Sequence, residues 1–237
     1  MRNEGQLSRV PFRVFALVAV TLTLQIGFWS QTHNVRLPVS NVDPAPPETL
    51  ARIIGLGDPQ FYYRAGGMWL QNMGERGNDV LPLRQLNYDR LIQWFDLLLA
   101  MDDRANYVPM LAGFYYGYTP DPEQARKVAL FLRRAALKHP ELHWRWLAQA
   151  VYLARHRVND MNLALEMANQ LAALPVTDMP IWTRQMNAFI LAKVGEQEAA
   201  RDILEALLAS DTQIDLAERR FIIDYIEKNL KSGGLVK

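Results

Sequence analysis

Four histidines are the first residues to consider for chemistry, because imidazole exchanges protons and binds metals near neutral pH. They are His33, His139, His143 and His156. Only His139 and His143 are close in sequence, as the ends of His-Pro-Glu-Leu-His. Pro140 favours a helix start, which leaves His139 outside the helical register, and the segment differs from the HExxH zinc motif. We therefore expect a capping turn between helices here and no metal site.

Asp102 and Asp103 are the second candidate cluster, since neighbouring carboxylates can act as acid and base. They follow one predicted helix and precede the next, where acidic side chains commonly serve as caps. The sequence has no G-x-S-x-G, P-loop or G-x-G-x-x-G motif, and Gly66-Gly67 fits close helix packing. We therefore predict a protein that is not an enzyme, with no catalytic residue, cofactor or metal.

The composition describes a folded chain without a strong electrostatic field. Half of the 237 residues are hydrophobic and 22% are charged, which is too apolar for a disordered protein. The 26 Lys and Arg nearly balance the 25 Asp and Glu, which argues against a nucleic-acid partner. The absence of Cys excludes disulfides and thiol chemistry.

An apolar segment near the N-terminus has the length of a membrane span. Residues 14–30 contain no charged side chain, and at about 1.5 Å per residue they just cross a hydrocarbon core, with Trp29 suited to the interface. Three arginines precede it, namely Arg2, Arg9 and Arg13. The positive-inside rule places this end in the cytoplasm. A cleaved signal peptide is the alternative, although no small-x-small cleavage pattern follows Ile26.

The domain organisation follows from this span. Residues 1–13 form a basic cytoplasmic N-terminus and 14–30 the transmembrane anchor. Residues 31–47 contain four prolines and no helical period, which predicts an extended linker. Beyond it, apolar positions recur every three and four residues, so 48–231 should be an all-α domain, followed by a flexible tail at 232–237. We expect an inner (plasma) membrane location, with the helical domain on the extracytoplasmic, periplasmic side.

A repeat runs through the helical domain. Four windows begin at Tyr63, Val108, Trp144 and Trp182, which are separated by 45, 36 and 38 residues. At +3, +4 and +7 come Gly66-Gly67-Leu70, Leu111-Ala112-Tyr115, Leu147-Ala148-Val151 and Gln185-Met186-Phe189. The second helices carry Leu91, Phe95 and Leu98; Ala125, Ala129 and Leu132; Ala164, Ala168 and Leu171; Ala199, Ile203 and Ala206.

These spacings resemble the W-x₂-L-G-x₂-Y and A-x₃-F-x₂-A signatures of tetratricopeptide repeats, over about residues 58–210. The resemblance implies a helix-turn-helix repeat solenoid of about four helix pairs. An amphipathic segment at 216–230 looks like the capping helix that such arrays need. An unrelated solenoid of helical hairpins remains the alternative.

The resemblance also implies a concave surface, lined by first-helix positions at −2, +1, +5 and +8 from each head residue. Carried over, these are Phe61, Arg64, Met68 and Gln71; Pro109, Gly113 and Tyr116; Leu142, Arg145, Gln149 and Tyr152; Thr183, Asn187 and Ile190. Aromatic, Arg and amide side chains suit a groove for a peptide or protein. The expected partner-binding groove consists of Phe61, Arg64, Met68, Gln71, Tyr116, Arg145, Gln149, Tyr152, Thr183 and Asn187.

The sequence therefore predicts a membrane-tethered scaffold or adaptor that binds a protein through the concave face of a tetratricopeptide-like solenoid. Its expected partners are a protein and, through residues 14–30, the lipid bilayer. One alternative is a permanent structural accessory subunit of a larger membrane complex, held by its anchor helix. A further alternative is a component that binds a small ligand or glycan through Tyr116, Tyr152 and Arg145.

Overall fold

The computed structural model describes residues 12–32, 42–76, 79–210 and 214–230, in a chain that divides into two compact units, 1–40 and 41–237. The first unit contains α1 (Phe12–Thr32), a 21-residue helix without a buried residue. Within the described residues it is the one helix long and apolar enough to cross a membrane. It includes the predicted anchor at 14–30. The expectations for residues 1–11, 33–41 and 231–237 concern parts of the chain that lie outside the described residues.

The hydroxyl groups of α1 are satisfied within the helix. Thr21 Oγ1 donates to the Leu17 carbonyl at 3.0 Å, and Thr23 Oγ1 donates to the Ala19 carbonyl at 2.8 Å. Thr32 does the same with the carbonyl four residues before it. Polar groups that bond to their own backbone can enter an apolar environment at lower free-energy cost. The polar side chains at these positions are therefore compatible with a membrane span.

The second unit is helical, as predicted. Its helices are α2 (Glu48–Ile54), α3 (Pro59–Gln71), α4 (Tyr88–Met101), α5 (Tyr107–Phe114), α6 (Pro122–Lys138), α7 (Pro140–Leu153), α8 (Met161–Ala172), α9 (Trp182–Val194), α10 (Gln197–Ser210) and α11 (Leu216–Asn229). Between α3 and α4, two-residue strands β1 (Glu75–Arg76) and β2 (Asp79–Val80) pair antiparallel. A 3₁₀ turn at Tyr116–Tyr118 follows α5, and a π-helical turn at Ala154–Val158 follows α7.

Side-chain caps set several helix starts. Asp58, Asn87, Asp121 and Asp160 accept hydrogen bonds from backbone N–H groups in the first turns of α3, α4, α6 and α8. Asp160 also forms an ion pair with Arg126, at 2.8 Å. The Leu163 backbone N–H, followed by the Arg126 side chain, holds the pKa of Asp160 below its ordinary value. The Asp160 carboxylate thereby links α6 to the start of α8.

Each helix of the second unit packs mainly against its neighbours in sequence. Contacts join every pair of sequence neighbours from α2 to α11, and the most extensive are those of α6 with α7, α8 with α9, α9 with α10, and α7 with α8. Further contacts join helices two positions apart, namely α3 with α5, α4 with α6, and α5 with α7. In α4, α6 and α8 the predicted apolar positions Leu91, Phe95, Leu98, Ala125, Ala129, Leu132, Ala164, Ala168 and Leu171 are all fully buried.

In α9 and α10 several buried positions lie one residue later than predicted, although Gln185 is buried at its predicted position. Trp182 is the first residue of α9 and is 41% exposed, whereas Thr183 is fully buried. In α10, Ala199 is exposed and Ala200 is fully buried. The Trp182 ring still contacts α7, with its centroid 5.9 Å from that of Trp144. Ala200 belongs to a separate small core with residues of α9 and α11.

The predicted linker is shorter than expected at its C-terminal end. Val42 is fully buried, and its carbonyl accepts a hydrogen bond from Arg90 Nη1 at 3.0 Å. The Asp43 carbonyl accepts one from Trp94 Nε1 at 2.8 Å. Val42 and Asp43 are therefore held against α4, and the end of the predicted linker is not a free spacer. Long-range hydrogen bonds from α4 cause the difference, since the proline-rich composition alone favours an extended chain.

Candidate functional site

The paired histidines join the start of α7 to the loop between α4 and α5. His143 is fully buried, with Nε2 at 2.8 Å from the Asp103 carbonyl oxygen and Nδ1 at 3.1 Å from Asn106 Oδ1. Trp146 Nε1 donates to the same Asn106 oxygen at 2.8 Å. His139 Nε2 lies 3.1 Å from Asp103 Oδ1. Both histidines are therefore engaged in contacts that hold two helical segments together.

The carboxylates of the same loop have turn and bridging partners. Asp102 Oδ1 accepts a hydrogen bond from the Arg104 backbone N–H at 3.1 Å, which is the geometry of a side-chain turn. Asp103 is the residue that contacts His139. Across the described ranges, no group of three or more His, Asp or Glu is placed to hold a metal ion.

On α3, the structure exposes all four predicted groove residues. Phe61, Arg64, Met68 and Gln71 are each exposed. Arg64 Nη2 lies 3.4 Å from the Gln60 side-chain oxygen. On this helix the carried-over positions do face solvent.

The predicted groove residue Tyr116, in the 3₁₀ turn after α5, is buried, and so are Pro109 and Gly113 on α5, from the wider carried-over set. Tyr116 is fully buried, and its hydroxyl donates to the Leu70 carbonyl at 2.6 Å. A Cβ on Gly113 would lie 3.1 Å from Gln149 Cγ, so a side chain there would require Gln149 on α7 to shift by a few tenths of an ångström. Tyr116 is therefore a core residue, which corrects its assignment to the groove and removes it from the glycan alternative.

Other residues of α5 and its C-cap take the exposed positions. Met110 is 43% exposed, and Phe114 and Tyr115 are also exposed. These residues were not predicted, because the carried-over groove positions lie one residue earlier on this helix. The sequence does indicate their exposure, because the large apolar side chains in this segment are too many for one helix to bury all of them.

On α7, three predicted residues reach the surface to different degrees. Arg145 is exposed, with its guanidinium carbon 4.3 Å from the centroid of the Trp144 ring. Gln149 is half-buried and donates through Nε2 to the Gly113 carbonyl at 3.1 Å. Tyr152 is exposed and lies 6.4 Å from Tyr118, measured between ring centroids. Leu142, from the wider carried-over set, is half-buried.

Tyr152 belongs to a small aromatic and basic cluster with His156. The two ring centroids are 4.8 Å apart. Arg157 places its guanidinium carbon 4.6 Å from the Tyr118 ring centroid. Partial burial, and secondly the charge of Arg155, lower the pKa of His156. The neutral ring that this favours can pack on Tyr152 without desolvating a charge.

On α9, Thr183 and Asn187 are buried, which is the second correction to the predicted groove. Thr183 Oγ1 donates to the Pro180 carbonyl at 2.7 Å, and Asn187 Nδ2 donates to Asn169 Oδ1 at 3.1 Å. Ile190, from the wider set, is buried as well. The one-residue shift in the register of α9 turns these positions towards the core.

The main candidate for a binding surface is a cavity of about 300 Å³ between α3 and α5. It is lined by Gln71, Asn72, Tyr107, Met110, Leu111 and Tyr115. The Tyr107 hydroxyl donates to Gln71 Oε1 at its wall. Its lining is therefore mostly apolar with a few polar groups, which is the usual character of a site that receives a side chain or small ligand.

An aromatic contact connects the surface beside this cavity to α7. Phe114 on α5 packs edge-on against Trp146 on α7, with ring centroids 5.9 Å apart. Met68 and Phe114 are exposed and lie three and four residues along their helices from the lining residues Gln71 and Met110, which places them on the same helix faces. We call the surface of Met68, Gln71, Met110, Phe114 and Tyr115 the α3–α5 groove. Of the predicted site residues, it includes Met68 and Gln71.

Comparison with known proteins gives no further guide to function. No family model matches the chain, and neither does any curated protein or solved structure.

Proposed function

We propose that the protein is a membrane-tethered scaffold that binds another protein through the α3–α5 groove. In this proposal α1 is the anchor, its N-terminus lies in the cytoplasm, and the helical unit lies on the periplasmic side of the inner membrane. The length and composition of α1 support the anchor. The three arginines that precede the apolar stretch support the orientation.

The proposal treats the helical unit as a tetratricopeptide-like solenoid. Its pairs would be α3 with α4, α5 with α6, α7 with α8, and α9 with α10, and α11 would be the cap. The contacts between sequence neighbours and the burial of the repeat positions in α4, α6 and α8 support this view. Stacked helix pairs leave one set of helices free to form an extended binding surface.

The observation that carries the binding role is the cavity between α3 and α5, together with the large apolar side chains beside it. Met side chains adapt to varied partners, and aromatic side chains contribute much of the energy at protein interfaces. Gln71 adds a side-chain amide that can bond to a partner's backbone. The expected ligand is a protein segment that inserts an apolar side chain beside Gln71.

Site-specific photo-crosslinking tests this role in native membranes. A photoreactive amino acid at Met110 should give one discrete protein adduct, whereas the same group at Leu137 on α6 should not. Leu137 is a matched control because it is 42% exposed, against 43% for Met110. An identical adduct pattern at the two positions would contradict the groove.

The accessory-subunit alternative is favoured by the apolar and fully unburied surface of α1, which could pack against other membrane helices. Replacing α1 by an unrelated apolar span of equal length separates the two functions. A scaffold should keep its crosslinked partner after the replacement, because binding resides in the α3–α5 groove. A subunit held by its anchor should lose its co-purifying complex.

A further inference from the structure

The short helix α2 presents its apolar side chains outwards. It contacts the rest of the unit through Ala51, which is fully buried, and through the following Gly55, where an added Cβ would lie 3.0 Å from Tyr62 Cβ. The large aliphatic side chains Leu50, Ile53, Ile54 and Leu56 are all exposed, and Ile53 reaches 70%. A helix on a water-facing surface normally has the opposite arrangement. We call these four residues the α2 patch.

Leu56 shows that the exposure is held by the backbone. Its φ is 54°, in the left-handed region that a non-glycine residue adopts at a cost, and its side chain is 89% exposed. Two hydrogen bonds fix the loop: Leu56 N donates to the Ile53 carbonyl and Gly57 N donates to the Arg52 carbonyl, each at 2.9 Å. These are the two hydrogen bonds of the Schellman motif, which ends a helix with its next residue in the left-handed region; here a leucine takes the place of the usual glycine, and its side chain projects into solvent.

The chain itself limits how far the α2 patch can be from the end of α1. Ten Cα-to-Cα steps join Thr32, the last residue of α1, to Val42, and they span at most about 33–36 Å. Val42 is pinned to α4 through its buried side chain and its bond to Arg90. α2 begins six residues later, at Glu48. If α1 crosses a bilayer, the covalent connection therefore ties Val42, at the start of the second unit, to within that distance of the end of the span.

We propose that the α2 patch inserts into the interfacial layer of the same bilayer that α1 spans, as a second point of membrane contact. This inference rests on the proposed anchoring by α1. The side chains of the patch are aliphatic, and Arg52, which lies beside them on α2, pairs with Glu48 at 2.8 Å. The patch therefore offers hydrocarbon and no net charge, which suits acyl chains better than a charged protein partner. A long arginine side chain can also extend towards the headgroups.

Single-cysteine labelling tests this contact in the full-length chain, because the sequence contains no native cysteine. The variants Ile53→Cys and Leu56→Cys are each labelled with a polarity-sensitive fluorophore and reconstituted in nanodiscs. Their quenching by doxyl-labelled lipids is then measured. Glu205→Cys on α10, which is exposed, is the aqueous control. Leu22→Cys, on the exposed surface of α1, is the control for the membrane span.

We expect the labels at positions 53 and 56 to be quenched several-fold more strongly than the label at 205, and the label at 22 to be quenched as well. Quenching at 22 with aqueous behaviour at 53 and 56 would overturn the bilayer contact alone. A blue-shifted but unquenched label at 53 and 56 would also overturn it, because a protein surface then covers the patch. Absence of quenching at 22 would instead remove the membrane anchor, and with it both proposals.

Discussion

The hydroxyl of Tyr116 provides a quantitative test of the corrected site. It donates to the Leu70 carbonyl at 2.6 Å from a fully buried position. The Leu70 carbonyl also accepts from the Met73 backbone N–H at 3.0 Å, so it keeps a partner when the hydroxyl is removed. Tyr116→Phe should therefore lower the free energy of unfolding by about 1 kcal/mol, the value for one lost hydrogen bond. The larger penalty for an unsatisfied buried group does not apply.

Removing the Tyr116 ring should cost several times more. The ring packs edge-on against Phe95 and Tyr88, with centroid distances of 5.6 and 6.4 Å. Truncation of a large buried aromatic side chain to Ala leaves a cavity and costs about 3–5 kcal/mol. For a unit of this size, each kcal/mol lowers the melting midpoint by about 2–4 °C. Tyr116→Ala should thus lower the midpoint roughly three to five times as much as Tyr116→Phe.

The assay is thermal and urea unfolding of the full-length chain in one detergent, followed by helical circular dichroism. Tyr115→Phe is the matched control, because it removes a hydroxyl from the adjacent, exposed side chain and should leave the midpoint unchanged. Crosslinking at Met110 gives an independent readout. If Tyr116→Ala keeps the wild-type midpoint but abolishes the crosslink, Tyr116 is a groove residue and the argument from burial is refuted.

Three further predictions concern stability. His143→Phe should lower the free energy of unfolding in urea by about 1–3 kcal/mol, because it removes both buried ring contacts. A variant as stable as the wild type would contradict the role of His143 in holding the start of α7 to the loop between α4 and α5. Because the fold lowers the pKa of Asp160, its ionised form stabilises the native state above the unfolded value of 3.8, and this contribution is lost as the pH falls through the lower folded pKa. Asp160→Asn should therefore show a smaller loss of melting midpoint than the wild type on acidification from about pH 5 to pH 3. Ala200→Leu should cost about 1–3 kcal/mol by overpacking the core, whereas Ala199→Leu should change stability by less than about 0.5 kcal/mol; equal effects in urea unfolding would restore the predicted register of α10.

The sequence was most informative about positions buried by several neighbours at once. Leu91, Phe95 and Leu98 recur at helical spacing, and all three are fully buried in α4. Periodicity reports burial directly, since it records which face of a helix avoids water. The long apolar run of α1 is predictable for a similar reason, because the length of the apolar stretch is a local property.

The groove was harder to predict because a carried-over position assumes helices of equal length. α5 has eight residues, and a 3₁₀ turn follows it at Tyr116–Tyr118. That change of geometry turns Tyr116 into the core, where it bonds to a residue 46 positions away. The attachment of Val42 to α4 was not predicted for a related reason, since its hydrogen-bond partner Arg90 lies 48 residues along the chain. Local composition carries no signal for such long-range bonds.

Buried tyrosines also bear on whether the α3–α5 cavity is a stable feature. The hydroxyl of Tyr63 on α3 accepts a hydrogen bond from the Val108 backbone N–H on α5, at 2.8 Å. Burial raises the pKa of Tyr63 to about 12, so this group stays neutral across the physiological range. The Tyr116 bond to Leu70 joins the same two segments near their other ends. Two buried hydrogen bonds thus fix the spacing of the helices that form the cavity walls. A partner would meet a groove whose walls are already ordered, and binding then costs less conformational entropy.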